Sequence, residues 1–577
     1  MLGIRQAPER VTVDSRSIRV VVACAFAASL HGCGGGSASP DPPQAGNRPP
    51  IVQAPNPNQS FAIDHPLDYD VLQGGTTFAD PDRETLSYSI ALMNGPLGMT
   101  ISGTHIVGPA TAMGAVDVEV VAKDAGGLQA SDRFQIRIVP NSAPRVANPN
   151  PHLLVAVGQG VSHDATQAGT TFEDPDGDVL TYEMSIVGQP HALTATSASV
   201  VGSLPQVGAV LVRITASDAY GGIGTNSFMV AAPADQPGEP TLPAVQFIYA
   251  DDELPLPYTY RELRDYEDTT PPDNETTNAG ATLGRVLFYD KRLSITNSHA
   301  CGTCHEQALA FSSRNRFSTG VIGIPLSRHA MPLSNVRFNR GNGYFSDMRV
   351  ATLEQLVLMP IEEPLELGQP LDLLEQKLSS VSYYGPLFES AFGDPSIDRA
   401  RISLALSQFL RSMLSYRSRF DRANYTTDPS IPVKPRDRLT GQERRGFDLF
   451  IVNRCHFCHH VPAHSSPRPA NNGLDDTITD PGTREGLGWF RAPSLRNVAV
   501  SAPYMHDGRF ATLREVIDHY DSGVKLNPGL DSMFVFNGEA RRLELTEDKK
   551  ADLDAFLNAL TDHEFLEDPK FSNPFQE

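Results

Sequence analysis

The sequence predicts a multidomain protein in which two all-β sandwiches precede two mainly α-helical domains. Three observations carry that prediction. A stretch of the first half returns 94 positions later, so that Gly75-Thr-Thr-Phe-Ala-Asp-Pro-Asp82 recurs as Gly169-Thr-Thr-Phe-Glu-Asp-Pro-Asp176. From about residue 245 the apolar residues change to helical spacing. Within that second half a five-residue run occurs twice, as Cys301-Gly-Thr-Cys304-His305 and Cys455-His-Phe-Cys458-His459.

Composition bounds the function classes. A chain of 577 residues has room for several domains, and its 40% hydrophobic and 20% charged content is that of a globular protein rich in turns. The formal net charge of −21 argues against nucleic acid as a partner, because phosphate binding needs a basic surface. Of six cysteines, four lie in the two runs and the others are Cys24 and Cys33, which leaves none for a disulfide framework.

The chain opens on an export signal. Arg16 and Arg19 precede an apolar run from Val20 to Leu30, the charged and hydrophobic regions of a secretory signal that is too short to span a bilayer. Leu30-His31-Gly32-Cys33 resembles the lipobox of bacterial lipoproteins, with an atypical His31. Residues 1–33 therefore read as a signal peptide with Cys33 as the lipidated first mature residue, or as a plainly cleaved one. Residues 34–49, rich in Gly, Ser and Pro, read as a flexible tether. The expected location is the periplasm or cell envelope of a Gram-negative bacterium, with membrane contact only through the lipid.

The two repeats are placed at 50–140 and 141–232. Alternating runs such as Val116-Asp-Val-Glu-Val-Val121 and Phe134-Gln-Ile-Arg-Ile-Val139 put one strand face on a core and the other in water. These units resemble the immunoglobulin-like or dystroglycan-type cadherin-like modules of bacterial surface proteins. That resemblance implies calcium held by Asp80, Asp82 and Asp124, and by Asp174, Asp176 and Asp218; turn formation alone favours the same residues. A spacer or adhesion role is expected, followed by a Pro-rich linker over 233–247.

Two helical domains follow, over 248–430 and 431–577. Ile402, Leu406, Phe409, Leu410 and Met413 share one helical face, as do Leu553, Phe556, Leu557 and Leu560. Apolar segments of helical spacing, Leu283–Asp290 and Arg445–Phe450, precede the two runs. A Cys-x-x-Cys-His run reads as a c-type haem attachment site: two thiols three residues apart reach the two vinyl groups of one porphyrin, and the next His turns onto the iron. A structural zinc site or a redox dithiol is the alternative for a Cys-x-x-Cys pair, and the His that follows each pair favours haem.

Ordered motifs extend the pattern: Leu283-Gly-Arg-Val-Leu-Phe-Tyr-Asp-Lys-Arg-Leu-Ser294, Tyr344-Phe-Ser-Asp-Met-Arg-Val-Ala-Thr-Leu353, Met359-Pro-Ile-Glu-Glu-Pro-Leu-Glu-Leu-Gly368, Ala492-Pro-Ser-Leu-Arg-Asn497 and Ala502-Pro-Tyr-Met-His-Asp-Gly-Arg509. On these segments the second half resembles the bacterial di-haem cytochrome c peroxidase and MauG family. The resemblance implies two covalent haems, with His305 and His459 as proximal iron ligands and the first haem as the peroxidatic one. It places the acid–base Glu at Glu366 and the distal ligand of the second iron at Tyr520, where peroxidases carry Met and MauG enzymes Tyr; Met505 and His519 are the rivals. It implies an inter-domain calcium at the Asn335 side chain and the carbonyls near Ser501 and Pro503. His329 is a candidate cap for the first iron, a loop His more often being merely hydrogen-bonded. Two departures stand out: Ser346 replaces the family's Trp between the haems, with Trp489 as the chain's single Trp, and Leu356 replaces a pocket Gln. The implied function is reduction of hydrogen peroxide to water with electrons from a small cytochrome c or cupredoxin. MauG-like oxidation of a protein side chain or organic donor, and a non-catalytic surface electron carrier, are the alternatives.

Overall fold

A computed structural model describes residues 46–250, 268–339, 343–424, 439–460, 465, 468–483 and 486–575; Cys33 and the signal lie outside the described residues. The first repeat is a pair of sheets. One has the strand order Gln59–Ala62, β2 (Gln129–Val139), β1 (Gly114–Lys123), Ser87–Met93, and the other the order Pro66–Asp70, His105–Pro109, Thr100–Ser102. Val116, Val118 and Val120 of β1 and Phe134, Ile136 and Ile138 of β2 are buried, while Asp117 and Arg137 between them are exposed, as period-two alternation requires.

The second repeat repeats the plan. Its four-stranded sheet runs Leu153–Leu154, β4 (Ile223–Ala232), β3 (Gly208–Ser217), Thr181–Val187, and its three-stranded sheet runs Gly160–Asp164, Ser199–Ser203, Ala192–Ala195. β3 and β4 pair antiparallel, with Ala209 opposite Ala231 and Leu211 opposite Met229. Unlike β2, the end of β4 is buried on both faces: Phe228, Met229, Val230, Ala231 and Ala232 are all in the interior.

Contacts divide the described chain into two compact units, the first holding the residues up to Ser60 together with Pro66–Arg137 and the second holding everything from Ile138 onward with Phe61–His65. The second sandwich thus belongs with the helical half. The Pro-rich segment, expected as a linker, is strapped to that half. Ala234 N–H donates to Thr296 O (2.8 Å), Arg292 donates to Gln236 Oε1 (3.1 Å) and to the carbonyls of Pro237 and Gly238, and Thr241 N–H donates to Pro574 O (2.7 Å). An extended Pro-rich chain makes no internal hydrogen bonds, so its carbonyls are available to such a guanidinium.

The helical half holds two copies of one arrangement. Helix α1 (Asn278–Tyr289) is capped by Thr277, whose hydroxyl accepts from Gly280 N–H, and precedes the first Cys run. It packs across α3 (Arg399–Arg411), with α2 (Leu353–Glu362) beside them. Helix α4 (Gly441–Val452) opens on a capping box between Thr440 and Glu443 and precedes the second run; it packs across α6 (Glu547–Asn558), after the short α5 (Leu513–Asp518). Each crossing closes on a glycine. A Cβ on Gly284 would lie 2.0 Å from Ala405 O, and one on Gly446 would lie 1.9 Å from Asp552 O, so the helix backbones touch only because no side chain intervenes. The first core gathers Leu283, Val286, Phe288, Ile402, Leu406 and Phe409; the second gathers Phe450, Leu553, Phe556 and Leu560. Buried Arg496 grips both carboxylate oxygens of buried Asp421 (2.6 and 2.7 Å).

Candidate haem centres and active site

Around the second Cys run lies a cavity of about 290 Å³, lined by Cys455, Cys458 and His459 together with Met505, Tyr520 and an apolar wall that includes Phe450, Leu495, Ile517 and Leu557. The His459 Nδ1 lies 3.2 Å from Pro493 O, a contact that orients the imidazole ring. Tyr520 sits on a π-helical turn, His519–Gly523, that continues α5, the kind of local widening that recurs at functional sites. Asn472 Nδ2 donates to Tyr520 Oη (3.2 Å) and lies 3.5 Å from Met505 Sδ, so both candidate distal ligands share one partner. Burial pushes the Tyr520 hydroxyl up to about 12. His519 is held elsewhere, its Nε2 bonded to Asn472 O at 3.0 Å.

The first run forms the helical turn Cys301–Cys304, and His305 Nδ1 lies 2.7 Å from Phe311 O, the same orienting contact as in the second. Burial pushes the Cys301 thiol up to about 12, and the charges of Cys304 and Glu366 add to it. Glu366 is therefore within electrostatic reach of this run, and Cys304 feels it as well. Burial first, and then the neighbouring Glu363 charge, raise the Glu366 carboxyl to about 7, with Arg349 opposing. Glu362 and Glu363 are exposed, as expected of a solvated acidic loop. His329 has both ring nitrogens engaged: Nε2 is 3.0 Å from Ser312 Oγ, and Nδ1 is 3.2 and 3.3 Å from the carbonyls of Asn315 and Arg316. That is the hydrogen-bonded loop His.

At the junction of the two domains, Ser346 lines the second cavity and its carbonyl accepts from Arg491 N–H (2.8 Å). Trp489 turns away, its Nε1–H donating to Gly529 O (2.6 Å). Its neighbour Phe490 lines the cavity and stacks on His506 at 3.9 Å and 12°. The aromatic ring that this segment presents to the cavity is thus Phe490. Leu356 packs against the first core. Asn335 uses its side chain on Ser415, Oδ1 accepting from N–H (2.9 Å), while Ser501 Oγ–H donates to Val498 O (3.3 Å) and Pro503 lines the second cavity.

Sequence reasoning missed Asn472, Arg349 and Arg491. Arg491 lines the cavity with its Nε buried and without a hydrogen-bond partner, and burial pushes its pKa down to about 10. A guanidinium against an apolar cavity wall whose Nε has no partner among the described residues is well placed to meet an anion, and the propionates of a haem are anions of the right kind. Two thiols, an imidazole, a phenol, a thioether and such a cation make a donor set that fits a c-type haem and would suit no small hard ion.

Duplicate crossing-helix domains with a Cys-x-x-Cys-His run in each define a di-haem c-type oxidoreductase. The di-haem cytochrome c peroxidase family matches residues 278–428, and an Ig-domain family matches residues 49–139. The methylamine utilization protein MauG of Methylorubrum extorquens is 32% identical over 299 residues, 50% of this chain and 80% of that protein. The cytochrome c551 peroxidase of Nitrosomonas europaea is 27% identical over 252 residues, 41% of this chain and 71% of that protein. A solved structure of a MauG-like protein associated with microbial copper homeostasis is 32% identical, with a TM-score of 0.45, and the match covers 53% of this chain and 95% of that one. The chain belongs to the di-haem cytochrome c peroxidase and MauG family, and its cofactors are two c-type haems.

Proposed function

We propose that the protein reduces hydrogen peroxide to water at a haem carried by Cys301, Cys304 and His305. Electrons enter through a second haem carried by Cys455, Cys458 and His459, from a small cytochrome c or cupredoxin in the periplasm or cell envelope, where lipidated Cys33 anchors the chain. Tyr520 would supply a ligand oxygen to the second haem, with Met505 the alternative. Calcium between the domains takes the second lone pair of Asn335 Oδ1 and the carbonyls of Ser501 and Pro503.

The observation that carries the reading is the half-buried Glu366, electrostatically coupled to both thiols of the first run, with its carboxyl raised to about 7. When bound, the haem supplies the redox centre that delivers two electrons to peroxide. Glu366 supplies the proton traffic: its carboxylate takes the proton from one peroxide oxygen and gives it to the other, which leaves as water, while the remaining oxygen becomes the second water by taking up the two electrons and two protons from solvent. A group whose pKa is near the working pH does both halves of that task well. The test is turnover of peroxide with reduced cytochrome c by Glu366→Gln, expected to fall by about 10² to 10⁴, the usual worth of general acid–base catalysis. Unchanged turnover would overturn the role.

A second reading is MauG-like oxidation of a protein side chain or organic donor, favoured by Tyr520 in the second cavity. A hard phenolate ligand favours oxidised iron. Peroxide addition would then yield a long-lived near-infrared absorption with no turnover of reduced cytochrome c.

A further inference from the structure

β3 and β4 bury two faces, and the second of them ends on the strip that carries Glu366. Val210, Val212, Phe228 and Val230 fill the sandwich core. The alternate residues Ala209, Met229 and Ala231 form a separate buried cluster with Ile295, Val321 and Ile322 of the helical half. Main-chain bonds run through the same contact: Ala209 N–H donates to Val321 O (3.1 Å), Gln189 N–H to Ile322 O (2.9 Å), and Val321 N–H to Glu366 O (2.9 Å). Val321 therefore links the sandwich to Glu366 directly. The approach is close, since a Cβ on Gly320 would lie 2.3 Å from Glu366 O. Gly368, at φ +58°, would place a Cβ 3.1 Å from Met229 Cε.

The first repeat lacks this face. At the positions 94 residues earlier, Gln135 stands for Met229, Arg137 for Ala231 and Asp117 for Leu211. Gln135 Nε2 donates to Asp117 Oδ1 (3.1 Å), an ordinary polar outer surface. The core positions, by contrast, match in kind: Phe134 and Phe228, Ile136 and Val230, Val118 and Val212. One module keeps a solvated outer face and the other has an apolar one, so the docking is written into the second repeat specifically.

We propose that the second β-sandwich is a positioning element of the peroxidatic site, in which Met229 and the main chain of Ala209 fix the strip of Val321, Glu366 and Gly368 and so place the Glu366 carboxyl. The proposal rests on the acid–base reading of Glu366. Proton transfer requires heavy atoms about 2.6–3.2 Å apart, and a misplacement near 1 Å costs about 10²-fold. Glu366 lies in a connection after α2 whose own bonds are Glu366 N–H to Glu363 O (2.9 Å) and Gly368 N–H to Glu363 O (3.0 Å). A short loop of that kind holds a side chain less firmly than a packed sheet does, which is what a rigid backing corrects.

The test compares full-length holoprotein variants: Met229→Ala, which empties the junction; Met229→Leu, which conserves volume; Met229→Gln, the residue of the first repeat; and Val212→Ala, a core truncation on the other face of the sheet. Two quantities are read, the amide exchange rate at Val321 and the single-turnover rate with peroxide. Met229→Ala and Met229→Gln are expected to speed exchange and slow the peroxide reaction by about tenfold or more, with Met229→Leu restoring both. Val212→Ala should lower the melting temperature and leave both quantities within about threefold of the parent. Exchange at Val321 in the Met229 variants equal to that in Val212→Ala would overturn the positioning role, as would loosened exchange with an unchanged rate where Glu366→Gln is itself slow. If Glu366→Gln reacts at the parent rate, the acid–base reading falls instead, and the exchange data alone decide whether the sandwich fixes the strip.

Discussion

Glu366 sets function against stability at a single side chain. Its folded pKa of about 7 lies above the value of about 4.5 for an unperturbed Glu, so the fold prefers the protonated form. Stability from this group is complete below pH 4.5 or so, and falls by up to about 3 kcal/mol as pH rises to about 7, because the unfolded chain ionises first. Glu366→Gln removes that loss. The variant is expected to melt above the parent at pH 8 and to lose the advantage near pH 4.5, while its peroxide turnover falls; thermal unfolding at the two pH values checks it. In the parent, the peroxide rate should rise with pH through about 7 as the carboxylate forms, and that limb should vanish in the variant.

Tyr520 supports a second test. It and Met505 share the Asn472 amide within one cavity, so geometry alone leaves both in reach. Phenolate ligation predicts that Tyr520→Phe changes the electron paramagnetic resonance and optical spectra of the ferric protein, and that Met505→Leu leaves them unaltered. An unchanged Tyr520→Phe spectrum would move the ligand to Met505. These residues were readable in the sequence because Met505 lies in the Ala502–Arg509 motif and Tyr520 is placed by counting onward from it under the family resemblance. Asn472 and Arg491 were not, because their partners lie 48 and 145 positions away, at Tyr520 and Ser346, and no local pattern marks such a meeting.

At the scale of elements, the Asp-rich loops of the second repeat form a turn and bring three carboxylates together. Asp174 Oδ1 accepts from the N–H groups of Asp176 and Asp178 (2.9 and 3.3 Å), and Asp218 Oδ1 accepts from Tyr220 and Gly222 (2.7 and 2.9 Å), which is turn chemistry. Asp176 itself caps the entering chain at Ser142 N–H (2.7 Å). Beyond the turn, oxygens of Asp174, Asp178 and Asp218 converge within 4.8 Å, and both Asp174 Oδ2 and the nearby Asn141 Oδ1 are buried without a partner. Carboxylates that close repel unless a hard cation sits among them. Calcium is therefore expected to raise the melting temperature of the protein, and Asp178→Asn to abolish most of that rise; a calcium titration followed by calorimetry checks it. The sequence singled out Asp174 and Asp218 by their repetition, and passed over Asp178 because its counterpart in the first repeat is Glu84. The strand β4 was legible in the same partial way. Its existence followed from the repeat, but its unbroken Phe228-Met-Val-Ala-Ala232 end, the signal of a strand covered on both faces, stood beside the alternating Phe134–Ile138 and marked the docking.

Over the whole molecule, the boundary that composition suggested and the boundary that contacts define fall in different places. Proline and glycine between 233 and 243 suggested a linker between a β half and a haem half. A proline-rich strand is stiff and leaves its carbonyls unpaired, so it serves equally well as a strap when a buried Arg is there to receive it, and Arg292 is 5% exposed. Its guanidinium also contacts Asp290 and Tyr383 Oη, tying the strap to the end of α1 at the base of the first haem domain. The second sandwich is joined to the first haem domain twice over, since cutting the strap would still leave the cluster of Met229, Val321 and Ile322 in place. Limited proteolysis of the holoprotein is accordingly expected to spare the bonds from 233 to 243 and to retain the second sandwich on the haem-bearing fragment. A haem fragment beginning near residue 245 would instead mean that the strap and the apolar face dissociate readily. A chain shortened to begin near Asn141 should keep the parent's peroxide rate, and one shortened to begin near Val245 should lose both solubility and rate, because it bares Ile295, Val321 and Ile322 and frees the strip behind Glu366.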